Sequence, residues 1–282
     1  MTSTDISQTS SRSTDSPADR NRWPGYGLVL LVIVLSTGTF LLAPWSFEAK
    51  ARAALHGLCA QRPSHSFLLG DQTLPFDARM TGIYGGFLVT TLFLAIKHRF
   101  RAFRLPPRRV IAVLAGFVLV MALDGTNSLL LDLQLDHPYH PRNDLRLVTG
   151  LLTGIALATL ICFLVSSTLW YRGRYDTAPI QNLREVGLVL LLQIPFAAAA
   201  MSGASMLYVP MVSFLLASAV LVVAAMLLVV IVVIRGQEGS FEGVAGLQRP
   251  TLVAVVLAFV AMAAFSGGRH LLEQATGAPP LS

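Results

Sequence analysis

His56, Cys59, His65 and Asp77 fall within 22 residues of one another and offer imidazole, thiol and carboxylate, a donor set that suits a transition metal. The His-x-x-Cys spacing lets one turn present His56 and Cys59 together, and a metal ion held by these four residues is the cofactor the sequence suggests. The spacing matches no recognised zinc pattern, and hydrogen bonding within a loop accounts for the same residues. Cys59 has no obvious disulfide partner. The other cysteine, Cys162, falls deep in an apolar run, roughly 24 Å along a helix from Arg146, whereas a disulfide needs Cα atoms within about 7 Å. Cys162 therefore reads as a small buried apolar residue.

A second constellation centres on Asp124. With Asn127, Ser128 and Asp132 it shares one helical face. At about 1.5 Å of rise per residue the carboxylate sits roughly 10 Å inside its apolar run, where a charge needs a partner or water. Arg79 and Arg146 begin neighbouring apolar runs and either could supply the partner charge. Beyond Arg146, Thr149, Gly150, Thr153 and Gly154 form a small and polar stripe suited to close helix packing. Gln193, beside Pro195, reads as an interhelical hydrogen bond in a kinked helix.

The elements that carry these residues are membrane helices. Hydrophobic residues make up 54% of the 282-residue chain and charged residues 13%, far below the charge of a soluble domain. Runs long enough to cross a bilayer lie near 25–43, 80–97, 110–131, 147–170, 185–208, 211–234 and 251–269. Tyr208-Val209-Pro210 is the break expected between the fifth and sixth, with Pro210 starting the return helix. The fold class is all-α and polytopic, with about seven spans and a structured loop between the first two. Residues 1–22, rich in Ser, Thr and Asp, read as a disordered tail. Residues 23–170 carry four spans with the polar loops, and residues 171–282 carry the last three.

The net charge of +6 does not imply nucleic-acid binding, because no soluble basic domain carries it. Six basic residues crowd into Lys97 to Arg109, and a cytoplasmic N-terminus puts 14 of the 21 Lys and Arg on the cytoplasmic side. The loops bearing His56 to Arg79 and Asp132 to Arg146 then face away from the cytoplasm, at a cell membrane, with the lipid bilayer and an unidentified small molecule or lipid as partners.

Cys59-Ala60-Gln61-Arg62-Pro63-Ser64-His65-Ser66-Phe67, followed by Leu74-Pro75-Phe76-Asp77-Ala78-Arg79-Met80-Thr81-Gly82-Ile83-Tyr84, resembles a prokaryotic membrane-protein family known as domain of unknown function 2085. That family's loop reads roughly Cys-His-Gln-x-Pro-x-Arg-Ser-Phe, then Leu-Pro-x-Cys-x-Arg-Cys-Thr-Gly-Ile-Tyr. Asp124-Gly125 and Asn143 to Gly150 look like its later motifs, so the resemblance covers about residues 50–158. Ala60, His65, Asp77 and Met80 stand where the family has His, Arg, Cys and Cys. The resemblance implies no reaction.

The candidate polar site is Cys59, Gln61, His65, Asp77, Arg79, Tyr84, Asp124, Asn143 and Arg146. A metal-dependent or other membrane enzyme, a small-solute permease, and a scaffold or lipid-binding protein all fit it. No nucleophile–base spacing selects a reaction.

Overall fold

A computed structural model describes residues 44–276 and eight positions ahead of them, Gly27, Leu30, Leu31, Val34, Leu35, Thr37, Gly38 and Leu42. The expected tail 1–22 lies outside the described residues, as do the other positions of the first expected span, 25–43.

Six described helical segments are long and apolar enough to cross a membrane. Five helices start within a few residues of their expected positions, the last running seven residues past its expected end: α2 (Ala78–Ile96), α3 (Arg108–Asp132), α4 (Asn143–Leu169), α6 (Tyr208–Ile234) and α7 (Gln248–Thr276). α5 (Leu183–Met201) instead stops seven residues before the expected Tyr208 break. Ser202 folds its hydroxyl back onto the Ala199 carbonyl, and Gly203 turns into the left-handed region at φ +69. A backbone in that region cannot continue a right-handed helix. Pro210 sits in the first turn of α6, where its missing N–H costs little.

α2 and α4 form the tightest contact of the bundle. Gly82 and Gly86 of α2 face Gly150 and Gly154 of α4, and a Cβ on Gly86 or Gly154 would stand 2.5 Å from the carbonyl oxygen of Leu151 or Ile83. Helices in an apolar solvent associate through such backbone approach, since burying more apolar surface gains nothing there. Gln193 of α5 completes this core by donating to the Gly86 carbonyl and the Thr90 hydroxyl, each at 3.5 Å.

The loop ahead of α2 folds into a cap. Its first part is α1 (Phe47–Leu55), opened by Ser46, whose hydroxyl accepts from the Ala49 amide. A hairpin follows, β1 (Ser66–Leu69) and β2 (Gln72–Asp77), joined by Gly70-Asp71. Gly70 takes φ +63, and its amide donates to the Gly203 carbonyl at 2.8 Å, which pins the hairpin to the α5–α6 turn. Leu55, Leu69, Leu74 and Phe76 are buried in one cluster with Leu147, Tyr208 and Leu215. The cap is thus a continuation of the bundle core.

Candidate functional site

Asp124 anchors the polar cluster beneath the cap. It is 3% exposed, and a charge so placed needs several partners. Arg79, the second residue of α2, ion-pairs with Asp124 Oδ2 at 2.6 Å and donates to Ser128 at 3.1 Å through the same nitrogen. The Tyr139 hydroxyl donates to Oδ1 at 2.8 Å, and Thr149 reaches Oδ2 at 3.4 Å. Of the two arginines that could have served, Arg79 is the partner.

Tyr139 comes from the loop between α3 and α4. Asn127 holds it there by donating to its carbonyl at 2.9 Å and accepting from its amide at 3.4 Å. Burial, then the bond to Asp124, raise the Tyr139 phenol above its ordinary pKa, so it stays a donor. Spacing placed Asn127 on the Asp124 face but gave no sign of Tyr139, which belongs to no periodic element.

Arg146 is 5% exposed and donates to the Asn143 side chain at 2.9 Å. It lies within electrostatic reach of Arg79, Asp124, Asp132 and Asp77. Asn143 also donates to the Ser64 and Ser66 carbonyls, tying α4 to the cap. His65 stands in the same crevice, and burial followed by the positive charge of Arg146 pushes its imidazole below the usual value. Above them Arg62 bridges to Asp132 at 2.6 Å.

Cys59 is 5% exposed, and its sulfur accepts from the Asp77 amide at 3.3 Å and the Gln61 amide at 3.5 Å. Burial, with the Asp77 charge second, pushes the thiol up to about 12. A thiol so raised is neutral at pH 7 and a poor nucleophile or ligand. The Asp77 carboxylate accepts from the Arg62 amide at 3.0 Å. Gln61 sits at φ +58, a strained conformation for a residue with a side chain, and it is held by donating to the Arg52 carbonyl at 2.9 Å. Tyr84, one level down, stacks on Phe76 with ring centroids 4.8 Å apart.

His56 points elsewhere. Its Nε2 meets Glu273 of α7 at 3.0 Å, and Arg269 meets Glu273 at 2.8 Å. Arg269 also donates to the carbonyls of His56, Cys59 and Ala60. Among the described residues no three His, Cys, Asp or Glu side chains gather as a metal-ligand set, so His56, Cys59, His65 and Asp77 do not converge. Cys59 and Cys162 are both free and buried, as their spacing required. The ties from Arg269 and Glu273 carried no sequence signal, since they join positions more than 200 residues apart.

Fold and site together define a polytopic helical membrane protein with a folded cap over a buried ion-pair cluster. Residues 59–160 match the model of a family described as a predicted membrane protein (DUF2085), so the resemblance read from the loop motifs holds over that stretch. No curated protein and no solved structure matches the chain.

Proposed function

We propose that this multi-pass membrane protein recognises a small anionic solute at the capped end of its bundle, with Arg146 as the residue that meets it. The supporting observation is an imbalance. Arg79, Arg62, Arg99 and Arg269 each ion-pair with a carboxylate within 4 Å, whereas Arg146, though buried, has the neutral Asn143 as its hydrogen-bond partner among the described residues. A buried guanidinium carries five donors in a planar fork suited to carboxylate or phosphate. His65 lies within electrostatic reach of it, its imidazole held towards the neutral form by burial and by that charge. The Lys and Arg distribution favours placing this end away from the cytoplasm.

A thiol enzyme or a metal site has less support, given the sealed, neutral Cys59 and the separated ligands. Elemental mass spectrometry of the purified protein tests the metal directly, and stoichiometric metal lost in Cys59→Ala would reinstate it. An architectural role for the whole cluster is favoured by one observation, the satisfaction of the Asp124 carboxylate by three donors, Arg79, Tyr139 and Thr149.

Thermal unfolding in detergent with acetate, succinate, inorganic phosphate and glycerol phosphate separates the two. Binding to the folded state raises the midpoint by mass action. At least one of these anions stabilises the wild type and Cys59→Ala, and does not stabilise Arg146→Gln. A wild type indifferent to all four would sink the recognition reading and leave the architectural one.

A further inference from the structure

At the opposite end of the bundle, the first turns of α3 and α5 enclose a cleft of about 380 Å³. The exposed Arg109, Asn182 and Arg184 line it together with Val110, which is buried. From Arg184 a second hollow, about 810 Å³, runs down the outer face of α5 past Gly187, Leu188, Leu191 and Ile194. Both volumes lie in the range of ligand sites, roughly 300–1,000 Å³.

We infer that this groove binds one anionic phospholipid, its phosphate between Arg109 and Arg184 and an acyl chain along α5. Charge complementarity selects the headgroup. Both arginines are exposed and neither ion-pairs among the described residues. The adjacent carboxylate, Glu185, is already committed to Arg99 at 2.9 Å and to the Gln181 amide at 2.7 Å, so it does not neutralise them. Length selects the chain. Arg184 to Ile194 spans ten residues of helix, roughly 15 Å at 1.5 Å per residue, which is half of a hydrocarbon core about 30 Å thick. The groove therefore starts at a headgroup-level cation pair and ends near the bilayer midplane. Its apolar wall would otherwise meet bulk lipid without preference, so the arginine pair is what makes the site specific.

The test uses the full chain in nanodiscs of equal parts phosphatidylglycerol and phosphatidylcholine, released into detergent for native mass spectrometry. The wild type retains phosphatidylglycerol in preference to phosphatidylcholine. In Arg109→Gln/Arg184→Gln that preference falls about thirtyfold, on the order of fivefold for each surface arginine. The paired lysine variant keeps most of it and serves as the folding control. Gly187→Phe supplies an independent arm, because a Cβ at Gly187 meets no atom within 4 Å and the ring can fill the groove without displacing the helix. It also abolishes retention while leaving the unfolding midpoint no lower. Equal retention of the two lipids by the wild type would overturn the site. So would a preference that survives both the glutamine pair and Gly187→Phe, or displacement of the lipid by millimolar inorganic phosphate.

Discussion

The two ends of the bundle handle charge in opposite ways. At the capped end, Arg79 of α2, Tyr139 of the α3–α4 loop and Thr149 of α4 converge on Asp124, which is 3% exposed beneath a folded cap. At the basic end, one buried pair, Arg99–Glu185, is surrounded by arginines that reach outward. Arg101 lies 4.2 Å over the Trp170 ring, whose indole donates to the Phe100 carbonyl at 2.6 Å, so even this loop is ordered through aromatic contact more than ion pairing. A carboxylate as buried as Asp124 has to be neutralised by partners within the protein. An open cluster can leave its cations free for headgroups. Arg79 and Arg62 are thus paired with carboxylates at the capped end, with Arg146 the exception, whereas Arg109 and Arg184 at the other end make no ion pair among the described residues.

The largest test of this contrast is Asp124→Ala, which leaves the partly buried Arg79, 22% exposed, without its counter-charge. It should lower unfolding stability by about 3–5 kcal/mol, measured by denaturation in detergent. Glu185→Ala, where the lost carboxylate is the more exposed of the two (12% against 3%), should cost about half as much. Equal losses would erase the distinction between the ends.

A pH ramp probes the seal at Cys59. Its folded pKa of about 12 stands above the ordinary thiol value of 9.0, so the neutral thiol favours the folded state. That stabilisation is complete below pH 9 and drains away as pH rises towards 12, since the unfolded chain ionises first. Wild-type stability should fall over this window, and Cys59→Ala should flatten the fall. Prompt alkylation of native Cys59 at pH 8 would show that the cap does not seal.

Tyr139→Phe removes one donor to a buried carboxylate and should cost about 1.5–3 kcal/mol. A smaller loss would mean that water replaces the phenol and that the α3–α4 loop is a loose lid. Arg184→Gln completes the series at the open end, with stability changed by no more than about 0.5 kcal/mol.

Much of this was legible in the sequence because hydropathy is local. Five of the described spans lie where 20-residue apolar runs placed them, and the Gly150/Gly154 stripe marks the α2–α4 contact it suggested. The Asp124 face also stands as read, with Asn127 and Ser128 buried beside it. The hairpin Ser66–Asp77 had a signal in its two-residue Gly70-Asp71 turn between apolar runs, which a search for membrane helices passes over. The early stop of α5 had one in Ser202-Gly203, hidden by the apolar residues on either side.

Sequence by itself determined that the chain belongs in a membrane, most of the stretches apolar enough to cross it, which loops carry the titratable groups, and that residues 59–160 match the model of a family of predicted membrane proteins. Tertiary structure alone decided the partners. It gave Asp124 to Arg79 instead of Arg146, turned His56 away from Cys59 towards Glu273, and lowered Tyr139 onto the carboxylate. The reason is physical. Insertion into lipid is set by the summed transfer energy of each segment, which reads off one run at a time. A buried charge chooses its partner by distance in the packed bundle, and those distances belong to no single segment.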